Sequence, residues 1–232
     1  MTEASASQTA VRGGATRHDE YRWRLPPLSS RILLVGLLVG LVGFLWSQRA
    51  VFFRVAQAAI LYEKPDDPAR PGGAINKIEA SVGWQFLTAG PSGPELIANF
   101  DIPATGANIR LSMRKNTDAT LPASHLIEVA TSPPRDFPGK AVTGIGKLVV
   151  KLAPEAEGAP LIGDVAEICD GIFWIGLSAV PSNTEVNLRL LTLGAFFDLP
   201  LTYKSGQRAT LTFEKGRTGV KVFEQALAAF RQ

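Results

Sequence analysis

Residues 32–46, ILLVGLLVGLVGFLW, run for fifteen positions without one polar side chain. A surface helix of a globular domain keeps a polar face, so this run, a membrane span or else a buried core helix, constrains the chain more than any other feature. As a helix it is about 22 Å long, short of the roughly 30 Å hydrocarbon core of a bilayer. Starting at Leu28 and ending at Ser47 brings the length to about 30 Å, with Arg31 able to snorkel to the headgroups. Pro26 and Pro27 suit a helix start. Tyr21 and Trp23 before the run, and Trp46, Phe52 and Phe53 after it, have the character of interfacial anchors. The stretch predicts a transmembrane signal-anchor helix within residues 28–62, preceded by a disordered basic tail over residues 1–27.

A cleavable signal peptide is the competing reading, because Ala56-Gln57-Ala58 has the form of a cleavage site. It lies beyond Arg49 and Arg54, whereas signal peptides approach their cut without charge. Five arginines precede the span and Arg49, Arg54 and Lys64 follow it. That bias places the N-terminus in the cytoplasm. The expected location is a bacterial inner membrane, crossed once, with the C-terminal domain in the periplasm.

Within the span, Gly36, Gly40, Gly43 and Ser47 are spaced four, three and four apart, which puts all four on one helical face. Lipid tails solvate leucine as well as a neighbouring helix does, so helices in a bilayer associate where small residues let backbones approach. These four residues are the expected helix-packing positions, and the partner is a second copy of the chain or another single-span protein. Val51, Val55, Ala58 and Tyr62 repeat the same spacing and predict a helical juxtamembrane extension. Residues 63–74, with three prolines and two glycines, read as a linker.

From residue 75 to 232 the periodicity becomes two. In residues 107–116, Ile109, Leu111 and Met113 alternate with Arg110, Ser112 and Arg114. In 208–214, Ala209, Leu211 and Phe213 alternate with polar residues, and in 186–190 Val186, Leu188 and Leu190 face away from Asn187 and Arg189. Further strands are expected at 82–88, 95–101, 125–131, 145–152, 167–178 and 197–203. Turn-formers punctuate them, and Gly206 in KSGQ predicts a hairpin turn. The pattern is mainly β: an antiparallel β-sandwich-like domain. It closes with a C-terminal helix capped by Thr218, whose apolar stripe is Val222, Phe223, Ala226, Leu227 and Phe230.

Charge argues against nucleic acid. Residues 1–62 hold seven basic and three acidic groups, while residues 63–232 hold 17 and 18. The basicity thus belongs to the N-terminal segment, and the large domain has no clustered positive field. One cysteine, Cys169, rules out an internal disulfide, and its expected place is a buried strand face shared with Phe173 and Ile175.

Candidate chemistry is sparse. His125 and Glu128 are three apart, which on a strand sends them to opposite faces and makes His125 a core or edge histidine. Arg114 and Lys115 lie in the polar stretch RKNTD, which reads as a solvated turn before it reads as an anion site. Glu128 and Asp170 complete the weak ligand-site candidates. TGIGKL at 143–148 lacks the first glycine and the hydroxyl of a phosphate loop and reads as a strand entry. No catalytic, cofactor or metal residues stand out, and no cofactor is expected.

RKNTDATLPASHLIEV, GIFWIGLS, FFDLPLTYKSGQRATLTFEKG and VFEQALAAF are similar to an uncharacterised group of bacterial proteins with one N-terminal membrane span. The resemblance covers most of residues 105–232 and implies a shared domain in a membrane-anchored setting. It brings no activity with it. The expected function is a membrane-anchored structural or interaction protein; the alternative is a ligand-binding or enzymatic domain with a hidden pocket.

Overall fold

The computed structural model describes residues 57–65, 73–90, 92–132 and 140–231. The tail, the expected span with Gly36, Gly40, Gly43 and Ser47, and most of the proline-rich stretch lie outside the described residues. No helix among the described residues is long and apolar enough to cross a membrane.

Twelve strands and two helices follow in order: β1 (Gln57–Glu63), β2 (Asn76–Gly90), β3 (Gly93–Ile102), β4 (Ala107–Lys115), β5 (Ala123–Ser132), β6 (Val142–Ile145), β7 (Val149–Lys151), β8 (Ala159–Pro160), β9 (Gly163–Cys169), β10 (Ile172–Ser178), α1 (Pro181–Leu193), β11 (Phe196–Tyr203), β12 (Arg208–Glu214) and α2 (Gly216–Phe230). The neighbours run β8-β7-β11-β12-β1-β2-β3-β4-β5-β10-β9, with β6 also on β11, and every pairing is antiparallel.

The fold is one curled sheet rather than two packed ones. Its terminal strands, β8 and β9, are separated only by Leu161 and Ile162. The Leu161 N–H donates to Leu148 O on the β7 side, and the Ser178 N–H donates to Ile162 O on the β10 side, both at 2.9 Å. Residues 159–169 thus pair first with β7 and then with β10, and the two edges of the sheet meet in that segment. The closure is partial, because among the described residues β9 pairs only with β10 and its other edge has no strand partner. Gly163 suits the seam, because a Cβ there would run into the backbone of Gly176 and Leu177.

Alternation decides what points inward. Ala59, Leu61 and Glu63 of β1, Ile109, Leu111 and Met113 of β4, and Ala209, Leu211 and Phe213 of β12 are all buried. Trp84, Phe197, Phe213 and Phe223 form the centre: Phe197 stacks on Phe213 at 5.3 Å and on Phe223 at 5.6 Å, and Trp84 meets Phe223 edge-on at 5.2 Å. Each such ring contributes about 1.5–3 kcal/mol by leaving water. The helix α2 supplies Phe223 from its stripe and packs on β2 and β3, as its periodicity predicts.

Several expectations are corrected. Residues 57–62, read as a helical extension, form β1, because Ala59, Leu61 and Glu63 carry a two-residue period that the helical spacing of Ala58 and Tyr62 hides. Glu63 pairs with Asn76, so the proline-rich stretch joins two adjacent strands instead of linking an anchor to a domain. Residues 186–190 belong to α1, which starts at Pro181 and buries Asn187 and Leu191 one turn apart. Five alternating residues fit both periods, and the proline at the first helical position decides. Residues 167–178 are two strands joined at Asp170-Gly171, with Gly171 at φ 75°, and the turn leaves Cys169 exposed rather than buried. Thr218 lies inside α2, which begins at Gly216 without a side-chain cap. Gly206 does turn its hairpin, at φ 87°.

Candidate functional site

The curled sheet has two unlike ends. Both helices sit at the end that carries His125, Ser178, Phe196 and Phe213. Glu63, Ile102 and Tyr203 mark the other, where the strongest convergence of polar side chains is found.

There, the inward alternation of β1 ends on a carboxylate instead of an apolar group. Glu63 is buried and Tyr203, the last inward residue of β11, donates its hydroxyl to Glu63 Oε1 at 3.0 Å. Lys140 Nζ donates to the same oxygen at 2.6 Å and to Gln207 Oε1 at 2.9 Å, and it lies 4.7 Å from the centre of the Tyr203 ring. Gln207 in turn donates to Lys64 O at 2.7 Å, and Asn76 donates to Glu63 Oε2 at 3.4 Å. Burial, with the Glu63 carboxylate beside it, raises the Tyr203 phenol above its ordinary range, so it stays a donor. The cluster borders a cavity of about 30 Å³ lined mostly by apolar residues such as Leu61, Ile102 and Leu201. That space holds about two waters. Ligand pockets are about ten times larger or more; the same Glu63 and Lys140 also border an open depression of about 680 Å³ with Asn76, Lys77, Glu79 and Thr105.

At the helix end, Lys215 continues the inward alternation of β12 and is 2% exposed. Its ammonium donates to Leu191 O at 2.7 Å and Thr192 O at 3.1 Å, two of the last carbonyls of α1, and faces the Phe223 ring at 4.5 Å. Lys215 is therefore a helix C-cap delivered from another element. Burial pushes its pKa down to about 8.

The sequence-predicted candidates do not assemble. His125 points inward against the Phe230 ring at 5.4 Å, with Nδ1 3.2 Å from Ser124 Oγ and its buried Nε2 without a hydrogen-bond partner. Burial, and secondarily the charge of Lys115, lowers its pKa to about 4. Glu128 points outward and accepts from Trp174 Nε1 at 2.9 Å. Arg114 lies over the Trp174 ring at 5.6 Å, and Lys115 is exposed. Asn116 organises its turn by donating to the carbonyls of Asp118, Leu121 and Ala123. Asp118 accepts from Thr120, which holds its carboxyl below the ordinary value. Asp170 is exposed at its turn, away from His125. Among the described residues no group of three or more His, Cys, Asp or Glu is placed to hold a metal ion.

Sequence reasoning missed Glu63, Lys140, Tyr203 and Lys215. The legible signal was polar residues falling on inward positions: Glu63 after Ala59 and Leu61, and Lys215 after Leu211 and Phe213. Comparison with protein-family models, curated proteins and solved structures returned no match.

Proposed function

We propose that this chain is a single-span membrane protein whose β-rich domain works by contact with other molecules rather than by catalysis. The observation that carries this reading is the filled interior of the curled sheet. Trp84, Phe197, Phe213 and Phe223 occupy its centre, and the largest inward polar groups are engaged within the chain: Glu63 by Lys140 and Tyr203, Lys215 by the end of α1. A substrate would have to displace packed rings to enter. The span is supported by the apolar run at 32–46, and a periplasmic domain by the arginines that precede it. Assembly through Gly36, Gly40, Gly43 and Ser47 is part of the proposal, with a second copy or another single-span protein as partner.

The test is purification of the full-length chain from native membranes in mild detergent, with the mass and identity of what accompanies it. A dimer or heteromeric complex is expected, and it is lost in the Gly36→Leu/Gly40→Leu/Gly43→Leu variant. A monomer from both chains overturns the assembly. Extraction of the chain by alkaline carbonate overturns the anchor.

A further inference from the structure

We propose that the open edge of β9 is a docking strand, which takes an extended, lysine- and arginine-rich segment of another protein by adding it to the sheet. The proposal rests on the contact reading above and names the surface and the chemistry of the partner.

β9 is the longest strand with an unpaired edge among the described residues. β8 has two residues and ends on Pro160, and β6 has four. The Ser178 N–H donates to Ile162 O, so Leu177–Gly163, Ile175–Val165 and Phe173–Glu167 are the non-hydrogen-bonded pairs of the ladder. Gly163, Val165 and Glu167 therefore turn their N–H and C=O groups away from β10, toward a side where no described strand pairs with them. Sheet edges are commonly blunted by proline or lysine, and β9 has neither. Such an edge accepts an extended segment through main-chain bonds, and the side chains around it set the choice of segment.

Charge selects the occupant. From Leu152 to Leu188 the chain has no lysine, arginine or histidine, and it has six acids: Glu155, Glu157, Asp164, Glu167, Asp170 and Glu185. All six are exposed. Asp164 and Glu167 lie on β9 itself and Asp170 on the turn that follows, and no described base is paired with them. Several bases of the surrounding strands are already engaged: Arg114 lies over the Trp174 ring, Lys151 pairs with Asp198, and Arg110 lies beside Glu95. Lys115, three strands away on β4, and Lys147, across the seam between β6 and β7, are exposed and do not balance the strip.

The same charges turn away a second copy. Pairing β9 on β9 would set two acidic strands side by side, which like charges across a ladder oppose. Glu167 shares the inner face with its cross-strand partner Phe173. A charge so placed penalises an apolar strand and favours a lysine opposite it. On the outer face Ile168 is 48% exposed, an apolar contact for a side chain of the incoming segment.

The test uses the full-length chain in mild detergent. Its single cysteine, Cys169, stands exposed at the end of β9 and carries an environment-sensitive fluorophore, so a change in emission reports docking at this edge. The probe is a capped eight-residue peptide alternating lysine with valine. Saturable titration is expected, with none for the peptide alternating glutamate with valine. N-methylation of the four central amides keeps the charge and blocks strand pairing, and it is expected to weaken binding about tenfold or more. The Asp164→Asn/Glu167→Gln/Asp170→Asn variant is expected to lose about tenfold at low salt. No titration by the lysine peptide overturns the proposal. So does an equal response to the N-methylated peptide, which needs no change to the chain and reports attraction without pairing. Unchanged affinity in the neutralised variant overturns the choice of a basic partner. An emission change on concentrating the Gly36→Leu/Gly40→Leu/Gly43→Leu chain without peptide gives the edge to a second copy and also overturns it. A complex recovered from native membranes beside a failed titration strikes the β9 edge alone, whereas the absence of any complex strikes the contact reading.

Discussion

Asn187, on α1, holds both backbone groups of Ile162: its Oδ1 accepts the Ile162 N–H at 2.8 Å and its Nδ2 donates to Ile162 O at 2.8 Å. Ile162 is where the closing segment leaves β7 and joins β10, so it has no ladder partner for its N–H. A backbone donor without a ladder partner must find another acceptor or forfeit free energy, and the side chain of the buried Asn187 supplies it. The helix α1 is thus fixed to the seam of the sheet by one residue that is 1% exposed.

Replacing Asn187 with Ala removes both bonds and leaves the Ile162 N–H without a partner. The expected cost is about 2–4 kcal/mol, read from denaturant unfolding followed by the fluorescence of the chain's tryptophans. Asn187→Asp keeps the acceptor and loses the donor, and Ser178 still donates to Ile162 O, so it is expected to fall between the two. A loss below 0.5 kcal/mol in the alanine variant, of the order of an exposed surface change, would contradict the assigned role.

Lys215 makes stability depend on alkaline pH. Its folded pKa, about 8, lies below the ordinary lysine value because burial disfavours the ammonium. Below pH 8 both folded and unfolded chains hold the proton, and the cost of burying the charge is fully present. As pH rises from 8 toward 10.5 the folded chain releases the proton first, so stability rises across that window. Lys215→Met keeps the bulk and has no proton to lose. Its unfolding free energy is expected to lack the rise between pH 8 and 10 that the parent shows, and identical profiles would refute the linkage.

Much of this fold was legible where one strand face is apolar and the other polar, as in β4 and β12. It was not legible where a segment satisfies two periods. Residues 186–190 alternate and are helical, because Asn187 and Leu191 are also one helical turn apart. Sheet closure was hidden for a different reason: residues 159–163, Ala-Pro-Leu-Ile-Gly, have no alternation to read, and their pairing is set by β7 and β10. The polar cluster was hidden by distance along the chain, since Glu63 meets Lys140 77 residues later and Tyr203 140 residues later. Local pattern marks such residues only as polar groups on an inward face. What they meet is decided by strand order.

The Glu63–Tyr203 pair is expected to be coupled. Tyr203→Phe removes the hydroxyl that donates to Glu63 and costs about 1–2 kcal/mol. Glu63→Gln keeps an acceptor for that hydroxyl but breaks the ion pair with Lys140. Lys140 retains water on one side and Gln207 on the other, which moderates the loss. The double variant should cost less than the sum of the two by about 1 kcal/mol. Additive losses in this cycle would show that the hydroxyl draws nothing from the charge of the carboxylate, since the glutamine still accepts its hydrogen bond.

His125 supplies the opposite pH limit. Its folded pKa is lowered to about 4 by burial and then by Lys115, while an exposed histidine titrates near 6.5. Above pH 6.5 neither state holds the proton and the group has no effect. As pH falls from 6.5 to 4 the unfolded chain gains a proton that the folded chain refuses, and stability drops by up to about 3 kcal/mol. Below pH 4 both states are charged and the loss stops growing. The groups around the ring give no relief: Phe230 of α2 faces it, Ser124 contacts Nδ1, Lys115 on β4 is cationic, and Nε2 has no partner. His125→Phe fills the same site with a ring that cannot titrate. Carboxylates such as Glu63 and Glu128 remain in both chains, so the informative quantity is the difference between parent and variant. That difference is expected to widen in favour of the variant between pH 6.5 and 4, with the variant at least as stable at pH 7 because the orphaned nitrogen is gone. A constant difference over that range would mean that His125 takes up its proton in the folded chain, which requires an acceptor that the packing against Phe230 does not provide.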